Sequence, residues 1–486
     1  MKKRLLSVIL ALIISVSGCL CIFASAEDNT SSAYDGTPVI MIRGMDFEGL
    51  YVDEGTENER NCFKGIDAGQ LIGTIFKALF KGIFTNSTEK GVQVLADYFN
   101  DVMGAMACNP DGSSKYNVGV HEYPLSLANY PDFVKSLGGN NEVGFMKTAV
   151  EKYGAENVYY FNYDWRIDPY INAERLDKLI DRAISGSGKD KVNLVCCSMG
   201  GIEATSYIYK YGYSKLNKVL FVSSTFCGTH VTSDLLQGKV VINADNLYNY
   251  ANQMFGQSNK ALSVLLNVLY KTKILNGLVN GVNKLVPKLI DPVYKLFLRD
   301  TYGSMPTVWA LVLPEDYDNA VKYMFGGEED KYAGIIELSK QYQEMQAKRN
   351  EMLLQAQEDG VYIAVIAGYD RAVTPLYTGG GGTGDNILEA DRMLGGATIA
   401  PLGTTLGEDY TGERVSPDNI VDLSGVIFPE TTWALKGCPH VPLNSGSDCS
   451  EFIFTILEYD GRFTVDTDAR YPQFMKSSSA MNLEKF

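Results

Sequence analysis

Short, uninterrupted apolar runs recur along this chain at positions 38–42, 158–161, 192–195, 219–223 and 361–367, separated by helix-length segments. A run that is apolar at successive positions has no polar face to give to water, so each is expected to be a strand buried on both faces. Strands of that kind alternating with helices imply a mostly parallel central sheet flanked by helices, the α/β class. The chain has 486 residues, 45% of them hydrophobic and 11% aromatic, which suffices for one large or two medium domains. A formal charge of −15, with no Lys/Arg cluster in the body of the chain, repels nucleic acid and excludes it as a partner.

The N-terminus opens Met1-Lys2-Lys3-Arg4, continues with an uncharged, largely apolar run over 5–23, and closes with Ala24-Ser25-Ala26. That order predicts a signal peptide over 1–26, cleavage after Ala26 and a secreted, extracellular protein. The run slightly exceeds a usual apolar core, which leaves an uncleaved membrane anchor as one alternative. Val16-Ser17-Gly18-Cys19 resembles a lipoprotein box, so a lipidated Cys19 at the cell surface is another. Residues 27–37 are polar and are expected to be a flexible lead-in. Nine cysteines less Cys19 and Cys21 leave seven, an odd number that cannot all pair. Cys62 with Cys108 and Cys438 with Cys449 are the expected disulfides of an oxidising compartment, because Cys196, Cys197 and Cys227 sit in or beside apolar runs.

The alternation of strands and helices breaks between about 245 and 300, where Leu262, Val264, Leu265, Val268, Leu269, Ile274, Leu275, Leu278, Val279 and Val282 recur at helical spacing among Asn and Lys. This segment is too amphipathic to span a membrane and too long for a loop, so it reads as a helical cap inserted after a core strand. The predicted organisation is a core over 38–240, a cap or lid over 241–315, a second part of the core over 316–460 and a C-terminal tail over 461–486. A further helix, rich in Glu, Lys and Gln over 331–357, is expected to be solvated and without chemistry. Low complexity is confined to the glycine-rich loop 379–384.

The strongest local signal for chemistry is Val192-Asn193-Leu194-Val195-Cys196-Cys197-Ser198-Met199-Gly200-Gly201, a strand that runs into a serine and then into a helix ending before Gly212. A serine at the tip of a strained strand-to-helix turn needs small residues two positions before and two after it, so that the turn can close. Gly200 meets that need, and Cys196 stands where a glycine is usual. The helix that follows directs backbone N–H groups and its positive dipole end at Ser198, where an oxyanion would form.

Nucleophilic serine catalysis needs an imidazole, and the chain has only His121, His230 and His440. In folds with this elbow the chain order is serine, acid, histidine, which selects His440, in Gly437-Cys438-Pro439-His440-Val441-Pro442, as the base. Two aspartates compete as the acid: Asp370, after the strand 361–367, and Asp385, after the glycine loop.

Together Tyr163-Asp164-Trp165-Arg166, the serine elbow, Ser304-Met305-Pro306-Thr307-Val308-Trp309 with Leu313-Pro314, and the late Gly-Asp and His segments make the chain resemble the lecithin:cholesterol acyltransferase-like and related bacterial lipase branch of the α/β-hydrolase superfamily, over roughly 38–457. The resemblance implies an α/β-hydrolase fold with a mobile lid. It maps the acid onto Gly384-Asp385-Asn386-Ile387-Leu388, favouring Asp385 over the alternative Asp370, although Asn386 stands where the family has glycine. Arg43-Gly44 takes the place of the pair that ends the family's first strand, so the backbone N–H of Met45 is expected to join that of Met199 in an oxyanion hole. The Tyr-Asp-Trp-Arg segment would shape the pocket and support the core.

The resulting expectation is a secreted serine ester hydrolase: a lipase or esterase, with phospholipase and acyltransferase included. It would act on lipid or other ester substrates, a membrane or lipid surface included, through Ser198, His440 and Asp385, without metal or cofactor. Two alternatives stand beside it. One is a non-catalytic secreted or cell-surface binding protein on the same scaffold. The other is an amidase using the same triad.

Overall fold

The computed structural model of this chain describes residues 34–486, apart from 66–69, 71–73, 75–76, 79–80, 82–83, 86, 138–143, 256–259, 285–290, 375–381, 441–442, 444–445 and 479–480. The expected signal peptide, the lipobox cysteine and most of the lead-in 27–37 lie outside the described residues.

In chain order the elements that build the central layer are strand β1 (Val39–Ile42), helix α1 (Gly144–Tyr153), β2 (Val158–Phe161), α2 (Pro169–Ser187), β3 (Val192–Cys197), α3 (Gly200–Tyr211) and β4 (Leu216–Val222). After an insertion follow α7 (Ala333–Glu358), β5 (Tyr362–Tyr369), β6 (Thr432–Lys436), α8 (Asp448–Glu458), β7 (Phe474–Ser477) and β8 (Leu483–Lys485). The insertion itself holds α4 (Ala244–Phe255), α5 (Lys260–Lys271) and α6 (Ile274–Asn283). The strands form one eight-stranded sheet in the order β8-β7-β6-β5-β4-β3-β1-β2. All neighbours pair parallel except β7 with β8. The expected α/β architecture, a mostly parallel sheet flanked by helices, is therefore observed.

Side chains of a strand point alternately to opposite faces, which explains why the strand segments must be apolar throughout. Ile40, Ile42, Leu194, Cys196, Val219, Phe221, Ile363 and Val365 enter one core with α2, α3 and α7. Their neighbours Val39, Met41, Val195, Cys197, Leu220, Val222, Ala364 and Ile366 enter a second core with α1 and α8. Helices thus cover both faces of the sheet, leaving the C-terminal ends of the strands as the edge on which loops converge.

Three observations depart from the sequence reading. Helix α7 is no solvated bystander: Ile335, Tyr342, Met345, Leu353 and Ala356 are buried in the first core. These positions make a narrow stripe that the intervening Gln and Lys residues dilute, and even polar Gln346 is drawn in, its Nε2 donating to Ala310 O at 2.9 Å. The C-terminal segment is not a tail, since β7 and β8 complete the sheet. The segment 241–315 also divides. Ile242, Leu247, Tyr250, Ala251, Leu266, Leu275 and Val279 form a small core of their own against Ala372, while Tyr294, Phe297, Met305, Val308 and Trp309 pack into the first core of the sheet. Among the described residues no helix is long and apolar enough to cross a membrane.

Candidate active site

Ser198 sits directly between β3 and α3 with φ of +49°, left-handed for a residue that is not glycine. Such a backbone costs about 1–3 kcal/mol and persists only where the surroundings hold it. Its own N–H donates to Val222 O at 3.2 Å, and its carbonyl accepts from Thr225 N at 3.0 Å and Thr225 Oγ1 at 3.2 Å. The following glycines are sterically required. A Cβ on Gly200 would stand 2.5 Å from Ile42 O and 2.7 Å from Arg43 O, and one on Gly201 would stand 1.6 Å from Ser224 Oγ. The start of α3 is thereby pressed against the end of β1. Cys196, which takes the usual glycine position, is accommodated by facing inward, fully buried in the first core.

His440 Nε2 lies 2.9 Å from Ser198 Oγ, and His440 Nδ1 lies 2.6 Å from Asp385 Oδ2. Asp385 is fully buried, and its other oxygen, Oδ1, accepts the N–H groups of Ile387 at 3.0 Å and Leu388 at 2.9 Å. A carboxylate held by two backbone donors and one imidazole cannot rotate freely. Gly368, at the end of β5, makes the approach possible: a Cβ there would come within 2.3 Å of Cys438 O and 3.1 Å of Asp385 Cβ.

The competing aspartate is placed elsewhere. The Asp370 carboxylate faces Lys436 Nζ at 3.4 Å, and Lys436 also binds Asp418 at 2.8 Å. Burial holds the Asp370 carboxyl above its ordinary range despite that lysine. Its backbone N–H donates to Thr383 Oγ1 at 2.6 Å, which ties down the antiparallel pair Arg371–Ala372 and Thr383–Gly384 leading into Asp385. The remaining histidines are engaged by other carboxylates. His121 Nε2 lies 3.1 Å from Glu59 Oε1 with its ring stacked on Tyr51, and His230 Nε2 lies 3.1 Å from Asp391 Oδ2. Of the candidate residues the structure thus brings together Ser198, His440 and Asp385, and not Asp370.

Met45 follows the end of β1 and Met199 the end of β3. Neither Met45 N–H nor Met199 N–H is donated to another described residue. The loop that carries Met45 is held from both sides. Arg43 Nη1 pairs with Asp46 Oδ2 at 2.5 Å, Tyr163 OH donates to Arg43 O at 3.0 Å, and Trp165 Nε1 donates to Asp46 O at 2.8 Å. Arg166 is fully buried against Asp164 at 2.6 Å and donates to Met106 O at 2.8 Å. The Tyr163–Arg166 segment therefore supports the core, as expected. Its grip on the Met45 loop was not foreseen, because a tryptophan in an apolar neighbourhood gives no sign of where its N–H is directed.

The expected disulfides are absent: none of the seven described cysteines, all of them buried, is in a disulfide. Cys62 and Cys108 pack in the first core as small apolar side chains. Cys438 and Cys449 are neighbours in the second core, where a hydrogen bond with Cys438 and burial push the Cys449 thiol well above its usual value. Among the described residues Glu54, Glu59 and His121 are the one group whose ligand atoms, all within 4.8 Å of one another, match a cation site, and they lie beside the small sheet of 51–52, 60–61 and 118–119 rather than at Ser198. A groove of about 670 Å³ between Arg414, Gln473, Phe474 and Phe486 includes none of the residues around Ser198.

A hydroxyl, an imidazole and a buried carboxylate in series are the parts needed to activate an oxygen nucleophile. No family model matches this chain, and no curated protein matches it significantly.

Proposed function

We propose that this chain is a serine ester hydrolase of α/β-hydrolase type. The observation that carries the reading is the series Ser198 Oγ, His440, Asp385, with separations of 2.9 Å and 2.6 Å on the two sides of the imidazole. His440 takes the Ser198 proton through Nε2 as Oγ attacks the ester carbonyl, and Asp385 fixes the tautomer through Nδ1 and stabilises the imidazolium. The N–H groups of Met45 and Met199 receive the carbonyl oxygen as it becomes an oxyanion; loss of one such donor typically lowers turnover about 10²–10³-fold. His440 returns the proton to the leaving alcohol. Water, activated by the same imidazole, then releases the acid from the acyl-serine, and an alcohol in place of water would make the reaction an acyl transfer.

Lipid esters are the favoured substrate class. The insertion α4–α6 is read as a cap over the site, and Val264, Leu265, Val268 and Ile274 stand exposed on it, as suits contact with apolar material. The resemblance to lecithin:cholesterol acyltransferase-like lipases points the same way, and the N-terminal segment, read as a signal peptide, supports a reaction outside the cell. Hydrolysis of p-nitrophenyl esters of short and long acyl chains by the wild type and by Ser198→Ala tests the reading: turnover abolished by the substitution supports it, and equal turnover in both proteins refutes it.

A further inference from the structure

Helix α4 of the insertion reaches the loop that carries Asp385 through one side chain. Gln253 Oε1 accepts the N–H of Ala372 at 2.8 Å and that of Asn386 Nδ2 at 2.9 Å. Two turns earlier on α4, Asn246 Nδ2 donates to Val373 O at 3.2 Å, so the helix is tied to this hairpin at two points. Asn386 follows Asp385 directly, is buried, and has a φ of +87°, a conformation in which a residue with a side chain is strained.

The Asn386 side chain has no bonding capacity left on its nitrogen. Its Oδ1 accepts from Arg371 Nε, and its Nδ2 donates once to Ala372 O at 2.9 Å and once to Gln253. Arg371 in turn donates from Nη1 to Gly437 O at 3.1 Å, three residues ahead of His440. One partly buried cluster thus joins the neighbour of Asp385, the loop of His440 and a helix of the insertion.

We propose that Asn386 is a positioning residue through which Gln253 makes the alignment of Asp385 depend on the seating of α4. The proposal rests on the triad reading above. If α4 lifts, two buried N–H groups, on Ala372 and Asn386, lose their shared acceptor, and a buried donor without a partner is unstable. The strained Asn386 backbone is the nearest place for relief, and its rotation turns Asp385, whose Oδ1 is set by the N–H groups of Ile387 and Leu388. The triad is then aligned with the insertion docked and misaligned with it raised.

The test compares Gln253→Met, Gln253→Glu, Asn386→Gly and the double variant Gln253→Met/Asn386→Gly in the whole protein, with a short soluble p-nitrophenyl ester. Gln253→Met is expected to lower kcat about tenfold with KM within about twofold, because alignment rather than binding is lost. Gln253→Glu keeps an oxygen acceptor and is expected to recover kcat to within about threefold of the wild type. In the Asn386→Gly background Gln253→Met is expected to lower kcat clearly less than it does alone, since only its bond to the Ala372 N–H is left to lose. Additive effects of the two substitutions, or a change in KM alone, would overturn the proposal.

Hydrogen exchange at the amides of Ile387 and Leu388 provides a reading that needs no turnover. Exchange faster by about tenfold in Gln253→Met supports the coupling, and unchanged exchange overturns it. A wild type that fails to hydrolyse esters would overturn the hydrolase reading, while the exchange arm would still decide the coupling.

Discussion

Asp385 Oδ2 stands 2.6 Å from His440 Nδ1, and that contact, more than any motif, separates the acid from its competitor. Asp370 lies on the same stretch of chain and at a position where many sheet-edge acids occur, yet its carboxylate is taken by Lys436. Asp385→Asn is expected to lower kcat by about 10³–10⁴-fold, because an amide cannot hold the imidazole in the reacting tautomer. Asp370→Asn is expected to stay within about threefold of the wild type, since its carboxylate is paired with Lys436 rather than with the histidine. Steady-state ester hydrolysis by the two variants checks both.

Trp165 holds the loop that carries Met45 through its 2.8 Å bond to Asp46 O. Trp165→Phe keeps most of the apolar volume and removes that donor. The expected result is a kcat reduced about tenfold, a KM nearly unchanged, and a stability lower by about 1–2 kcal/mol in urea titration. An unchanged kcat would show that the loop is set by Arg43 and Tyr163 alone.

The elbow tolerates no added carbon at Gly200, where a Cβ would meet the carbonyl oxygens of Ile42 and Arg43, both of them backbone atoms unable to swing aside. Gly200→Ala is therefore expected to destabilise the protein by about 1–3 kcal/mol or more and to abolish activity together with the fit of β1 against α3. Thermal unfolding and ester turnover, measured on one preparation, should fall together.

Stability should also depend on pH through a pair outside the triad. Burial raises the Glu389 carboxyl from 4.5 to about 7, and hydrogen bonding to Asp391 raises His230 above its ordinary value. Both groups hold a proton more tightly in the folded chain. Their contribution is thus fully present below the unfolded values and is lost as pH rises through the folded ones. For Glu389 the window runs from about 4.5 to about 7, with a change on the order of 3 kcal/mol. Glu389→Gln, which keeps an acceptor for Val231 N–H, is expected to flatten that part of the curve, and urea midpoints at pH 4.5, 5.5 and 7 would reveal it.

Strands β1 to β5 were legible because burial on both faces leaves a one-dimensional mark: no position in 39–42 or 192–197 can be polar without a partner. The elbow was legible for a related reason, since close backbone approach forces glycine at Gly200, and the Ser224 hydroxyl crowds Gly201. Strands β7 and β8 carry no such mark. Phe474-Met475-Lys476-Ser477 and Leu483-Glu484-Lys485 bury little and read as tail. Helix α7 misled because few of its residues are buried along 26 positions, and its glutamines find carbonyls that only the tertiary structure supplies. The choice between Asp370 and Asp385 turned on Lys436, some 50–70 residues further along the chain, a relationship that local sequence does not encode.

The most direct measurement of the central claim is labelling of the purified protein with a fluorophosphonate, followed by peptide mass mapping, with Ser198→Ala and His440→Ala alongside. The account predicts one covalent adduct, on Ser198, absent from Ser198→Ala and slowed by orders of magnitude in His440→Ala. Absence of any adduct in the wild type, or an adduct that survives in Ser198→Ala, would contradict it.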